Sequence, residues 1–515
     1  MQILYRYNKR VHCFLIIFFM IFLISCEIKP NNNQLNLVMP GDPKSYDPAY
    51  ATDVRTGQLC ALIYDNLVRF SHNKDIIPGL AYDWKISDTG KEYWFFLRDS
   101  VKFHDGTHLE CSDIKKTFER ILDKNTNSHR KWLFNPIKGA NSYSKGNATE
   151  VIGLSCQDKN ILKIELQKPF SPFLSFLAMP SASVVKVDSD GKLIGTGPWI
   201  LDEWIHDGHI LFKSNKAYFD GIPLLESLKI RILPEILPRT AEFITGYLDI
   251  MEVPESEFLI WVNDKEWKPN IKFRQQLSTH YLGLNCSRAP FNNKNIRKAM
   301  NYAVDVESII RNIKNGNATH AAGPIPHQLI ESNNPNLYYY NPEKARKLLR
   351  DAGYENGFEV ELWQSQSSEL LYITEAIQAQ LLDVGIKVKI IRNDWNLFSQ
   401  AVNEGVPDIY YRSWNADYPD AENFLTPLFE SDVSQKRWTR YTNQRVDSLI
   451  KKIEYEVNST KRDKYINTVN SIIIDDAPWV FLWHPTTAHV IQPNIMGWSP
   501  SLMFNAEKYN KVFKK

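Results

Sequence analysis

The sequence predicts an α/β protein of more than one domain, with a mostly parallel sheet in its C-terminal half and a mixed α+β region nearer its N-terminus. Three observations predict it. The chain has 515 residues, more than a single ordinary core spans, so two or three domains are expected. From about residue 281 strand and helix patterns alternate, as they do where parallel strands are joined by crossover helices. Residues 35 to about 185 mix short strands and helices without that alternation. Hydrophobic content of 43% and charged content of 23% are ordinary for a folded chain.

The N-terminus is a targeting segment. Arg6, Lys9 and Arg10 precede the apolar run VHCFLIIFFMIFLI at 11–24, about one h-region long. The run ends Leu23-Ile24-Ser25-Cys26 and looks like a bacterial lipobox. Residues 1–25 then read as a lipoprotein signal peptide, with lipid attached to Cys26 and residues 26–34 as a polar tether. The alternatives are an ordinary signal peptide or an uncleaved anchor. Removing 1–25 takes away three basic residues and no acidic ones, leaving 58 basic against 59 acidic groups. No other segment is long and apolar enough to span a bilayer.

Further along, YWFFLRDSVKFHDGT (93–107) reads as two strands broken at Arg-Asp-Ser, ending in an Asp-Gly turn. Ser112 is the expected cap of a helix with Asp113 in its first turn and Ile114, Phe118 and Ile121 on one face. LKIEL (162–166) alternates as a half-buried strand should. GTGPW (195–199) is a Gly-rich turn before WILDEW and HILFKSN, a hairpin; without a following Lys-Ser/Thr it is no phosphate loop, and tight backbone geometry is its expected role. LKIRIL (228–233) adds a strand. Asn341-Pro342 opens a helix with Ala345, Leu348, Leu349 and Ala352 as its buried stripe and Gly353 as its stop. FEVELW (358–363), IKVKIIR (386–392) and DIYYRSW (408–414) are strands, separated by helices at 368–384 and near 396–403.

Composition and motifs exclude several functions. No basic block is long enough for a nucleic-acid tract. G-x-S-x-G, H-E-x-x-H and G-x-x-x-x-G-K-[ST] are all absent, and the 12 His show no metal spacing. Asp417 and Asp420 could pair as acid and base, but nothing else supports catalysis, and no cofactor or metal is expected. Cys60, Cys111, Cys156 and Cys286 lie far apart without C-x-x-C. Export would permit disulfides, but three pairings are possible and buried free thiols equally fit. The segment RSWNADYPDAENFL (412–425) crowds aromatic and acidic groups at a turn leaving the carboxyl end of a strand, where open α/β sheets bind ligands.

These residues resemble a known family, the extracellular solute-binding proteins of bacterial peptide ABC transporters, of the oligopeptide- and dipeptide-binding type. LIYDNLVRF with IIPGLAYDWKISDTGKEYWFFLRDSVKFHDGT (62–107), GTGPW, YLGLNCSRAPFNNKNIRKAMNYAVD (281–305), YNPEKARKLLRDAGY (340–354) and SWNADYPDAENFL carry the resemblance in one order through nearly the whole chain. It implies a two-lobed periplasmic-binding-protein-like clamp (type II, cluster C) with an additional N-terminal α+β domain. One lobe would comprise 35–56, 186–278 and 484–515; the extra domain 57–185; the second lobe, with the ligand loop, 279–483. Chain crossings near Tyr281 and Trp483 would form the hinge.

The resemblance also implies a site. Asp417, the Asp of W-x-A-D, would hold a peptide's α-ammonium, which is mostly charged at neutral pH, through a charge-assisted hydrogen bond. Trp414 would wall the pocket. Backbone groups at Ser413 and Asn415, with Ala416 between loop and strand, would pair with the peptide main chain. Asn415 stands where some members carry Cys. Arg412, Lys387 and Arg392 are candidates for the ligand carboxylate by charge alone, Arg412 being expected to face away from Trp414. Asp420 is expected to cap the helix at AENFLTPLF. The expected partners are short peptides and separately encoded permease and ATPase subunits of an ABC importer; the protein would be a lipid-anchored monomer on the extracytoplasmic face of a bacterial membrane. The alternative is a non-peptide solute such as an oligosaccharide or a nickel complex, since Trp-rich clefts suit sugars as well.

Replacing Cys26 by Ala is expected to give a non-lipidated, mislocalised precursor. Membrane fractionation with mass measurement of the N-terminus checks this, and a variant still processed and membrane-bound overturns the lipobox.

Overall fold

The computed structural model describes residues 32–331, 338–434, 436 and 438–515. The signal segment, Cys26 and the tether as far as residue 31 lie outside the described residues. Among the described residues no helix is long and apolar enough to cross a membrane.

Three sheets organise the chain. The first has four strands in the order Gln34–Met39, Ser227–Ile232, His209–Ser214, Trp199–Ile205. Its first pair is parallel and joins segments almost two hundred residues apart. The predicted hairpin forms, bulged between Leu201 and Glu203. Leu35, Trp199, Ile210, Phe212, Leu228 and Ile230 form its core. GTGPW has the tight geometry expected. A Cβ on Gly195 would lie 2.0 Å from the Ile63 carbonyl oxygen, and Gly197 N–H donates to that oxygen at 2.9 Å. The glycines let the chain rest directly on the helix Val54–Ile63.

The second sheet is antiparallel, in the order Ala81–Ile86, Glu92–Leu97, Ile161–Glu165, Leu154–Asp158. The helix Cys111–Leu122 belongs to this region, and its predicted face, Ile114, Phe118 and Ile121, is buried. Its cap is Glu110 rather than Ser112: the helix starts two residues earlier than expected, and the Asp113 carboxylate accepts from the Glu110 N–H at 3.0 Å. VKFHDGT does not make a second strand. The turn at Asp105-Gly106 closes at once, with Phe103 N–H on Thr107 O at 2.8 Å, and leaves only the bridge between Lys102 and His108. Cys111 and Cys156 form a disulfide that ties the helix start to the sheet edge, while Cys60 and Cys286 are free.

The third sheet has eight strands. Phe358–Ser365 lies between Ile386–Asn393 and Ile409–Asn415 and is parallel to both. The rest is antiparallel: Ser278–Leu284 pairs with Ile409–Asn415 on one side and Trp479–Ile491 on the other. The sheet is therefore mixed rather than mostly parallel. Ser278–Leu284 carries the chain into this region and Trp479–Ile491 carries it out, so the two neighbours must run in opposite directions. The helix Pro342–Asp351 begins as read, with Asn341 Oδ1 accepting from Lys344 N–H at 2.9 Å. Ala345 and Leu349 are its buried residues, while Leu348 and Ala352 are partly covered.

Trp479–Ile491 also leaves this region. Its first half pairs with Ser278–Leu284 and Ala318–His320, its second with Ile271–Gln275 and Ile250–Glu252. At the change of partners Gln276 N–H donates to Pro485 O at 2.9 Å.

The disulfide closes a loop of 45 residues. Loop-closure entropy assigns it about 4 kcal/mol. Replacing Cys111 and Cys156 by Ser is expected to lower the stability of this region by about 2–5 kcal/mol, read from urea denaturation.

Candidate functional site

The site is built on the end of the strand Ile409–Asn415. Tyr410 and Tyr411 are buried; Arg412, Ser413 and Trp414 are half-buried. The ladder sets Thr279 opposite Trp414 and Ser278 opposite Asn415, and Ala416 N–H donates to Leu277 O at 2.8 Å. Beyond this the chain turns, and one buried carboxamide fixes the turn. Asn423 Oδ1 accepts from Trp414 Nε1 at 3.2 Å and from Asp417 N–H at 3.0 Å. Asp420 has the structural role expected: its Oδ1 accepts from Glu422 N–H at 2.8 Å and opens the turn Ala421–Phe424. Arg462 donates to the same oxygen at 2.8 Å.

Asp417 faces an arginine that the sequence did not suggest. Arg130 Nη2 lies 3.5 Å from Asp417 Oδ1, a long contact, and Arg130 Nε donates to Ala51 O at 2.9 Å. The Asp417 side chain is 33% exposed against 12% for Arg130. Among the described residues no group donates to Asp417 Oδ2. Burial pushes the Asp417 carboxyl above its ordinary range against the opposing pull of Arg130. The carboxylate is thus under-supplied with positive charge, and a second cation at Oδ2 would favour its ionised form.

The loop separates two cavities. One, of about 730 Å³, is lined by Trp414 and Asp417 together with Arg130, Trp132, Phe176 and Tyr418. The other, of about 710 Å³, is lined by Asn415 and Ala416 together with Val38, Arg274, Gln276 and Glu369. The five predicted site residues are therefore divided. Trp414 and Asp417 share the aromatic cavity, Asn415 and Ala416 the other, and Ser413, opposite His280 in the ladder, lines neither. Across the second cavity Lys314 links Glu255 to Glu369, at 3.0 Å from the latter.

Arg412 does not face away from Trp414. Residues two apart in a strand share a face, and both side chains meet Trp438: the Arg412 guanidinium lies 4.1 Å from that ring, and Trp414 meets it edge-on at 6.3 Å. Arg412 also lies 5.3 Å from the Trp395 ring, so it is stacked rather than offered to a ligand. Lys387 and Arg392 are exposed on the strand Ile386–Asn393 and line neither large cavity. Among the described residues no group of three or more His, Cys, Asp or Glu is placed to hold a metal.

The family described as bacterial extracellular solute-binding proteins, family 5 Middle, matches residues 75–436. The chain belongs to this family. Heme-binding protein A of Haemophilus influenzae is 30% identical over 471 residues, 85% of this chain and 84% of that one. The dipeptide-binding protein of Escherichia coli K12 is 27% identical over 490 residues, 89% of this chain and 90% of that one. Among solved structures, HbpA2 of Haemophilus parasuis superposes with a TM-score of 0.81 at 27% identity, covering 94% of this chain and all of the other. Helicobacter pylori DppA in complex with the peptide STSA gives 0.77 at 26% identity, covering 93% and 98%. These neighbours are two-lobed binding proteins of the family, and the chain shares their mixed α/β fold.

Asn423 and Arg130 escaped the sequence reading. A buried Asn inside an apolar run is a weak signal, and Arg130 meets Asp417 across 287 residues, a contact no local pattern announces. Glu422 adds a titrating group. Buried on the loop, it accepts from the Tyr418 hydroxyl, and its carboxyl is pushed up to about 7, first by burial and then by nearby Asp420. The folded state then holds a proton that the unfolded chain releases near pH 4.3, so stability falls as pH rises from there through about 7. Glu422→Gln is expected to flatten this part of the stability–pH curve, measured by thermal melts from pH 4.5 to 8.

Proposed function

We propose that this chain is the substrate-binding component of an ABC importer. It captures short peptides by closing two lobes around an extended ligand and delivers them to a separately encoded permease. One observation carries the reading: Asp417 presents a carboxylate oxygen with no donor among the described residues, on a half-buried side chain at a cavity wall. A peptide's ammonium supplies the missing charge. Family membership and relatives named for dipeptide binding and crystallised with a peptide support it. The mode is that of a binding protein and not of an enzyme.

In this reading 35–56, 186–278 and 484–515 form one lobe, 279–483 the other, and 57–185 the extra domain. The exchange of strand partners at Gln276 and Pro485 supports a hinge there, a few residues beyond Tyr281 and Trp483 on the side of the first lobe. Trp414 walls the ammonium seat, and main-chain groups of Ser413, Asn415 and Ala416 pair with the peptide backbone. The mature protein is a monomer held to the extracytoplasmic face of the membrane through lipid on Cys26.

A second reading is a non-peptide solute. The ring-lined cavity of about 730 Å³ favours it, as does a relative named for heme binding. Native mass spectrometry of the purified protein separates the two by the mass of any co-purified ligand.

Asp417→Asn is expected to weaken peptide binding at least about tenfold, within the range of roughly 2–5 kcal/mol for losing one partner of a buried charge pair. The melting temperature of the ligand-free protein should barely move. N-acetylated peptides should bind poorly to the wild type. Calorimetry checks both; equal affinity of Asp417→Asn and wild type overturns the assignment.

A further inference from the structure

One lysine bridges the two sides of the strand-partner change, and it faces more negative charge than it can match. Glu255 opens the short helix Glu255–Glu257, which follows Ile250–Glu252, a strand paired with the second half of Trp479–Ile491. Lys314 follows the helix Val306–Asn312 and stands just before Ala318–His320, which pairs with the first half of that strand. Glu369 lies in the first turn of the helix Ser368–Asp383, behind the sheet that carries the ligand loop. Lys314 Nζ is 3.0 Å from Glu369 Oε1 and also meets Glu255 Oε1. The Lys314 side chain is only 8% exposed, so solvent screens these contacts weakly.

One ammonium thus serves two carboxyls, and those carboxyls also hydrogen-bond each other. Two ionised carboxylates cannot make that bond, so one of them carries a proton. Burial, and then the bond to Glu369, push the Glu255 carboxyl up to about 7. Burial acts on Glu369 in the same direction, but its bond to Glu255 and the charge of Lys314 outweigh it and hold that carboxyl low. The groups facing the trio from the neighbouring strands are His280 and Tyr411, hydrogen-bonded to each other at 2.7 Å. Burial pushes His280 down to about 3 and Tyr411 far up, so neither changes charge between pH 5 and 8. His484, which faces His280, is pushed down to about 4 by burial. Arg55, Arg239, Arg274 and Glu252 line the same cavity. Burial raises the Glu252 carboxyl too, and its charged neighbours are Arg274 and Arg239.

We propose that Glu255, Lys314 and Glu369 form a latch between the lobes, which holds the clamp closed and loosens as pH rises. The proposal rests on the division into lobes given above and not on the identity of the ligand. When the lobes part, Lys314 keeps Glu369, which lies on its own side, and Glu255 returns to water with an ordinary carboxyl near pH 4.3. Closure therefore takes up a proton. The closed form holds the higher value, so the latch is complete below about pH 4.3 and is lost as pH rises through about 7. An enclosed ligand leaves only when the lobes part, so its retention becomes pH-dependent through groups that need not touch it.

The test compares wild type, Glu255→Gln and Lys314→Met at about pH 5.5 and about pH 8. Small-angle X-ray scattering of the ligand-free protein reads closure directly, and trialanine titrated by calorimetry reads it through affinity. Wild type is expected to be more compact at the lower pH. Glu255→Gln keeps the shape of the protonated carboxyl and cannot ionise, so it should be equally compact at both. Lys314→Met leaves the two carboxyls without their ammonium; at the higher pH it should be the least compact and bind trialanine at least about tenfold more weakly than wild type. The ratio of affinities between the two pH values should be about tenfold larger for wild type than for Glu255→Gln. That comparison cancels the titration of Asp417 and of the peptide ammonium, which both proteins share. If Lys314→Met melts far below wild type, Glu255→Gln carries the test. Where trialanine binds, equal affinity ratios for wild type and Glu255→Gln overturn the latch and leave the peptide reading standing. Where trialanine binds none of the three, the peptide reading falls, and equal scattering responses of wild type and Glu255→Gln overturn the latch as well.

Discussion

The architecture depends on one strand that belongs to two ladders. Trp479–Ile491 gives its first half to the sheet that carries the ligand loop and its second half to Ile271–Gln275 and Ile250–Glu252. The first half is held hard. Tyr281 stacks on Trp479 at 3.5 Å between ring centres, and both are buried. Pro485 stands where the partners change. Proline has no N–H to give a ladder, so Pro485 only accepts there, from Gln276 N–H at 2.9 Å. On the proposed reading, this change of partners between two sheets is where a hinge closure would turn.

The loop that follows Ile409–Asn415 is anchored beside this junction. Ala416 is bonded to Leu277, beside the junction, and Asn423 holds Trp414 and Asp417 through a single oxygen. These bonds hold the backbone at Ala416 and Asp417 and the ring of Trp414 in place. This sets the electrostatics. A carboxylate free to move would find water; one held against apolar and aromatic walls keeps the cost of burial until a cation arrives. Arg130 relieves part of that cost at 3.5 Å, yet it is also committed to Ala51 O.

Much of this was legible in the sequence, and the misses share a cause. The helix Pro342–Asp351, the hairpin after GTGPW and the cap at Asp420 rest on local chemistry, and each formed as read. The family resemblance rested on ordered motifs, and the family match bears it out. What failed was non-local. The parallel sheet became mixed because Ser278–Leu284 and Trp479–Ile491 pair across about two hundred residues. The Cys111–Cys156 pairing could not be chosen from spacing. Arg412 was misplaced by a simple error of period: two positions along a strand return to the same face, and Trp438, 26 residues on, covers that face. Arg130 had no local signal at all.

The division of the loop between two cavities gives selectivity a physical form. Asp417 and Trp414 address one space; Asn415 and Ala416, one and two residues away, address the other. On the peptide reading, a ligand crossing the loop would be read by charge on one side and by main-chain groups on the other. Main-chain bonds are indifferent to side chains, so they contribute affinity without restricting sequence. In the same reading the Asp417 carboxylate would discriminate by terminal charge, because an uncharged end would leave it buried and short of a partner. Selection by the ends and tolerance of the middle would then follow from one turn of chain beside the ring-lined cavity of about 730 Å³.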